Sequence, residues 1–210
     1  MGTQQVLFWN IPSRRNPYFT GREELLTRLH ELLHSGKATA LTQPQAISGL
    51  GGIGKTQTAV EYAYRSRADY QAVLWASAAS RETLISDFVS LAALLQLPER
   101  DVADQGIVVA AVKRWLASNK DWLLILDNAD DLELAAEFMP LASSGHILLT
   151  TRAQSTGAIA NSLEVEKMEQ PEGTLLLLRR AKKLTAGVPL EQATAPDRSL
   201  AEAVSEFVRH

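Results

Sequence analysis

The chain has 210 residues, enough for one domain with a substantial core and room for a small appendage. Hydrophobic residues make up 46% and charged residues 21%, and the net charge of −3 argues against a basic nucleic-acid-binding face. There is no cysteine, which excludes disulfides, thiolate zinc sites and a cysteine nucleophile.

Residues 1–18 contain Pro12 and Pro17 and no periodic pattern, so an irregular opening is expected. That opening lacks the charged start and apolar core of a signal peptide. Val6 stands where a myristoylation signal following Met1-Gly2 needs Ser or Thr. No apolar run is long enough to cross a bilayer, and a cytoplasmic location is the default expectation. A helix is expected next, with Thr20 as cap, Glu23 closing a capping box, and Leu25, Leu26, Leu29, Leu32 and Leu33 on one apolar face. A strand follows over 45–48, then a glycine-rich loop and a helix over 55–67. Strands are predicted at 72–76, 122–126, 146–150 and 163–165, with helices at 80–97, 105–117 and 132–138 between them. Two amphipathic helices close the chain, the last with Leu200, Ala203, Val204, Phe207 and Val208 at helical spacing. Apolar strands alternating with helices predict an α/β fold with three layers, α/β/α, around a mostly parallel sheet.

The loop Gly49-Leu50-Gly51-Gly52-Ile53-Gly54-Lys55-Thr56 matches G-x-x-x-x-G-K-[ST] in full. Polyphosphate binding needs many donors converging on a small volume. Glycines let the backbone curl so that successive N–H groups point inward, and the following helix directs its positive end at the phosphates. Lys55 is placed to reach the β and γ phosphates and Thr56 to ligate Mg2+. Gly51, Gly52, Ile53, Gly54 and Gln57 complete the nucleotide-binding set. A strand before the loop and a helix after it make this a P-loop NTPase fold.

Leu123-Leu124-Ile125-Leu126-Asp127 has the form of a Walker B strand, with Asp127 emerging beside the loop as the second Mg2+ residue. Asn128 follows, where many P-loop ATPases carry a second acid that orients the attacking water. An amide is a poor proton acceptor, so slow hydrolysis is expected unless Asp130 or Asp131 substitutes. In His146-Ile147-Leu148-Leu149-Thr150-Thr151-Arg152 a buried strand ends in a cation. Arg152 is either a γ-phosphate sensor or a surface arginine, and this segment alone does not choose.

Together GLGGIGKT, LLILDNADD and HILLTTR, in that order, resemble the NB-ARC class of STAND signal-transduction NTPases. Residues 16–25, Asn-Pro-Tyr-Phe-Thr-Gly-Arg-Glu-Glu-Leu, are similar to the segment that lies over the adenine in that class. The resemblance implies an ATP/ADP switch that is closed with ADP and opens and self-associates after exchange, in proteins that also carry helical-repeat sensor or effector domains. It implies contacts of Phe19 and Thr20 with the adenine, a nucleotide-holding role for Arg22, and γ-phosphate sensing by Arg152. Gly187-Val188-Pro189-Leu190 is similar in letters to the family's GLPL motif. Glu191 and Gln192 follow where an apolar helix is expected, so an ordinary loop is predicted. The expected division is an irregular segment 1–18, the NTPase domain 19–168 and a helical segment 169–210. The rival function is a turnover-driven ATPase or a small-molecule kinase, but no arginine-rich lid is in evidence.

Three further features are assigned to structure. His30-Glu31-Leu32-Leu33-His34 matches the zinc-protease pattern H-E-x-x-H, but it offers no evident third ligand, because His146 belongs to a strand. Trp9, Trp75, Trp115 and Trp122 read as scattered packing residues. Arg179, Arg180, Lys182 and Lys183 read as a solvent-facing helix end.

Overall fold

The apolar runs become the strands of one sheet in a computed structural model, which describes residues 7–35, 43–140, 144–153, 155–185 and 187–209, apart from the side chains of 207–209. The chain divides into two compact units. The first takes in Glu24–Val165 and the described residues before Arg15; the second takes in Arg15–Glu23 and the described residues from Glu166 on.

In the first unit the elements run β1 (Phe8–Trp9), α1 (Glu23–His34), β2 (Gln45–Ser48), α2 (Lys55–Arg65), β3 (Ala72–Ser77), α3 (Arg81–Leu94), α4 (Gln105–Ser118), β4 (Lys120–Asp127), α5 (Leu132–Phe138), β5 (Ser144–Thr151) and β6 (Asn161–Glu164). The sheet order is β1-β3-β4-β5-β2-β6, and every pair is parallel. Parallel pairing sends all carboxyl ends to one edge, where an open α/β sheet builds its ligand crevice.

Burial on both faces explains why these strands lack alternation. Leu74, Leu124, Leu126 and Leu149 pack with Leu84, Phe88 and Leu91 of α3 and Val108, Val112 and Leu116 of α4. The intervening Val73, Leu123, Ile125 and Leu148 are equally buried. They point to the opposite face, where α2 lies against β2, β4 and β5. Each such side chain contributes about 1.5–3 kcal/mol of transfer free energy. Trp122 is fully buried, and its indole N–H donates to the Leu116 carbonyl at 2.9 Å. Helix starts follow side-chain caps: Ser80 accepts from the Thr83 N–H, Asp104 from Gly106 and Asp131 from Leu134.

Some expectations fail locally. The opening is not wholly irregular, since Phe8 and Trp9 pair with Ala72 and Val73 at the sheet edge. Two residues are too short to carry a period. Thr20 does not cap α1. Gly21 and Arg22 intervene with left-handed φ of 72° and 64°, and the Thr20 hydroxyl instead donates to the Tyr18 carbonyl at 2.8 Å. Helix α3 stops at Leu94, because Gln96 turns left-handed (φ 56°) ahead of Pro98. The readings on Met1, Gly2 and Val6 lie outside the described residues.

The second unit is helical. In α6 (Gln170–Arg180) Glu169 and Glu172 form a reciprocal capping box. Leu178 and Leu184 pack with Ala201 of α7 (Ala195–Arg209). The face expected of α7 is not the one used: Leu200, Ala203 and Val204 are exposed and Ala201 is buried. The Phe207 and Val208 side chains lie outside the described residues. The basic run splits. Arg180, Lys182 and Lys183 are exposed, whereas Arg179 turns inward and donates to Thr20 Oγ1 at 3.0 Å. A 3-10 turn begins at Leu190, directly after Gly187-Val188-Pro189. Among the described residues no helix is long and apolar enough to cross a membrane.

Candidate functional site

The loop after β2 leaves the carboxyl edge of the sheet and feeds straight into α2. Two glycines make the path. Gly49 has φ 142°, and a Cβ there would stand 2.8 Å from the Val165 carbonyl oxygen; Gly54, at the start of α2, has φ 100°. Lys55 folds back across the loop, its Nζ donating to the carbonyls of Gly49 and Leu50, both at 2.8 Å. The Ile53 N–H donates to the Leu50 carbonyl at 3.4 Å.

Sheet register sets what faces this loop. Leu126 pairs with Leu149, so Asp127 and Thr150 emerge side by side at the ends of β4 and β5. Thr150 Oγ1 donates to Asp127 Oδ1 at 2.5 Å, and Thr56 Oγ1 donates to the same oxygen at 2.9 Å. A hydroxyl that gives its proton to a carboxylate keeps its lone pairs for a cation. Thr56 and Asp127 therefore offer a hard, all-oxygen donor pair of the kind Mg2+ takes, and the residues present fit that ion. Asp127 itself is buried.

Asn128 adopts φ 59°, a left-handed conformation that Asn tolerates better than most residues, and its N–H donates to Thr150 Oγ1 at 3.0 Å. Asp131 is committed to the cap of α5. Asp130 is committed to Arg152, accepting from its backbone N–H at 2.7 Å, from Nε at 2.6 Å and from Nη2 at 2.5 Å. Burial raises the Asp130 pKa, but the hydrogen bonds and charge of Arg152 outweigh it and hold the carboxyl below its ordinary value. Burial pushes the Lys55 ammonium down, against the carboxylates of Asp130 and Asp127.

A cleft of about 650 Å³ opens over these groups. Gly51, Gly52, Gly54, Lys55, Thr56 and Gln57 line one side, and Asn128, Asp130, Asp131 and Arg152 the other, with Ala78 and Ala79 after β3. The sequence reading missed Thr150, Ala78 and Ala79. Only the parallel register of β3, β4 and β5 brings them to the loop. Phe19, Thr20 and Arg22 belong to the second unit. There Thr20 is buried and bonded to Arg179, and the Arg22 N–H donates to Glu172 Oε1 at 3.2 Å. Burial lowers the Arg22 pKa and the Glu172 charge opposes it.

Comparison with known proteins adds to this geometry. Residues 22–185 match the family model of the NB-ARC domain, a match that stops short of Gly187-Val188-Pro189-Leu190. A nucleotide-binding leucine-rich repeat (NLR)-like protein of Hyaloscypha variabilis is 31% identical over 82% of this chain and 20% of its own. The regulatory protein AfsR of Streptomyces griseus is 28% identical over 78% of this chain and 17% of its own. The transcription activator GutR of Bacillus subtilis is 31% identical over 71% and 19%. The chain thus spans about a fifth of the length of these relatives. Among solved structures, the ORC1 protein of Aeropyrum pernix, determined in complex with DNA, superposes with a TM-score of 0.60 at 16% identity, covering 97% of this chain and 63% of that one. CDC6P of Pyrobaculum aerophilum gives 0.59 at 16%, covering 95% and 65%. At such identities the likeness is one of fold.

Proposed function

The chain belongs to the NB-ARC domain family, and we propose that it is an ATP- and ADP-binding regulatory switch of the STAND signal-transduction type. The observation that carries this reading is the convergence of the glycine loop, Lys55 and Thr56 on one cleft, with Asp127 hydrogen-bonded to Thr56. In it the loop amides of Gly51 to Thr56 and Lys55 bind the phosphates, with Gln57 beside them. Thr56 and Asp127 would hold Mg2+, which would supply charge neutralisation for the phosphates. Phe19, Thr20 and Arg22 serve the adenine end, and Arg152 reads the γ-phosphate.

Slow hydrolysis follows from the disposition of the acids. Asn128 is an amide, Asp131 caps a helix and Asp130 is held by Arg152, so none of these three side chains is poised to take a proton from water. That favours a switch over a turnover-driven ATPase or a kinase. The names of the relatives, two of them regulators and one an NLR-like protein, support a signalling or defence role. Residues 19–168 are taken as the nucleotide-binding part and 169–210 as a helical addition. In the longer protein, self-association and helical-repeat domains in cis are the proposed partners, and the cytoplasm the proposed location. The test is identification of the nucleotide retained through purification, followed by calorimetry on stripped protein. Retained ADP and heat with ADP and ATP in the presence of Mg2+ are expected. Folded protein giving no heat with either would overturn the reading.

A further inference from the structure

The histidine pair of α1 matches a metal-binding pattern but lacks a third ligand in the sequence. The fold supplies one. Asp69 lies 35 positions beyond His34, in the short 3-10 turn Arg67–Asp69 between α2 and β3. One ligand atom from each of His30, His34 and Asp69 lies within 4.8 Å of the others, and this is the one such group among the described residues. The two imidazoles, one helical turn apart, stack with centroids 4.0 Å apart and planes inclined by 31°.

The surroundings fix the tautomer of His34. The His34 Nδ1 lies 2.8 Å from the His30 carbonyl oxygen, which can only accept. The proton therefore sits on Nδ1, and Nε2 of the neutral ring carries the lone pair. Beside His30 runs a chain of hydroxyls: Tyr62 Oη is 3.4 Å from His30 Nδ1 and 3.3 Å from Tyr70 Oη, which is 2.8 Å from His146 Nδ1. Both groups are phenols, which carry their protons at neutral pH. Three links need three protons and two hydroxyls supply two, so an imidazole Nδ1–H must donate at one end. The His146 ring stands edge-on to His34, centroids 4.6 Å apart.

We propose that His30, His34 and Asp69 form a binding site for a divalent transition-metal ion of the Zn2+ type, separate from the nucleotide cleft. Two imidazoles and one carboxylate are a borderline donor set suited to Zn2+ and not to Mg2+. Tetrahedral bonds of about 2.0–2.1 Å place ligand atoms about 3.4 Å apart, so the group closes by side-chain rotation. Asp69 is exposed and can make that move. Strand polarity keeps the two sites apart. His146 precedes Thr150 by four residues of β5, roughly 13 Å toward the amino edge of the sheet. The ion ties α1 to the turn after α2.

The test is titration of Zn2+ against a chromophoric chelator into metal-stripped, nucleotide-free protein, with millimolar Mg2+ present to block carboxylate-only sites. One equivalent at micromolar affinity or tighter is expected, with a rise in Tm. Asp69→Asn and His30→Gln should each weaken binding at least tenfold, and Asp69→Asn should abolish the Tm rise. Asp69→Asn alters an exposed side chain, so it decides the matter if His30→Gln does not fold. Absence of saturable binding, or equal affinity in Asp69→Asn and the parent protein, would overturn the proposal.

Discussion

Thr150→Val isolates the contact that aims the Asp127 carboxylate. The substitution keeps side-chain shape and removes one hydroxyl. Thr150 is 1% exposed, donates to Asp127 Oδ1 at 2.5 Å and accepts from the Asn128 N–H at 3.0 Å. A hydrogen bond to a charged acceptor contributes about 1.5–3 kcal/mol. Asn128 is exposed, so water replaces much of its lost partner. The net cost is about 2–3 kcal/mol, which for a chain of this size is a fall in Tm of roughly 4–12 °C. Urea and thermal unfolding measure it, with Thr150→Ser, which keeps the hydroxyl, as the control. Unaimed, Asp127 should also hold Mg2+ less well, raising the Mg2+ concentration needed for half-maximal ATP binding. In an Asp127→Asn background the cost of Thr150→Val should fall below about 1 kcal/mol, since a neutral acceptor makes a weaker bond. Parent-like stability, within about 0.5 kcal/mol, together with an unchanged Mg2+ requirement would refute the reasoning.

Lys55→Ala should weaken ADP and ATP binding at least 100-fold in calorimetry, with far-UV circular dichroism unchanged. Asp130→Asn should release Arg152 and tighten ATP threefold to tenfold while leaving ADP unchanged, as read by competition binding; equal changes in both would deny Arg152 a γ-phosphate role. The Asp130 pKa is held below its ordinary value, so the pair is complete above the unfolded carboxylate value and lost only as pH falls through the lowered one. The Arg152 Hε resonance should therefore hold its shift from neutrality down to about pH 4 and move below it. Gly145→Ala would place a Cβ 2.2 Å from Trp122 Cδ2 in the core, and should cost about 1–3 kcal/mol or more in urea unfolding.

The sequence by itself determined five of the six strands, the glycine loop, and the places of Lys55, Thr56 and Asp127 at the ends of that loop and of β4. Buried parallel strands must be apolar throughout, and a phosphate loop must be rich in glycine. Both demands are local and leave letters in the chain. The tertiary structure decided everything that depends on register or on crossing between elements. Thr150 reads as one more strand threonine until parallel pairing sets it against Asp127. Arg152 faces Asp130 because β4 and β5 are neighbours, a fact no spacing along the chain contains. Phe8-Trp9 is a strand only because the edge of β3 offers it unpaired backbone groups. In α7, Leu200 and Val204 satisfy helical spacing, yet the packing of α6 selects Ala201 for the inward face instead. Periodicity reports that a helix has a face, and only the surface opposite determines which face is buried.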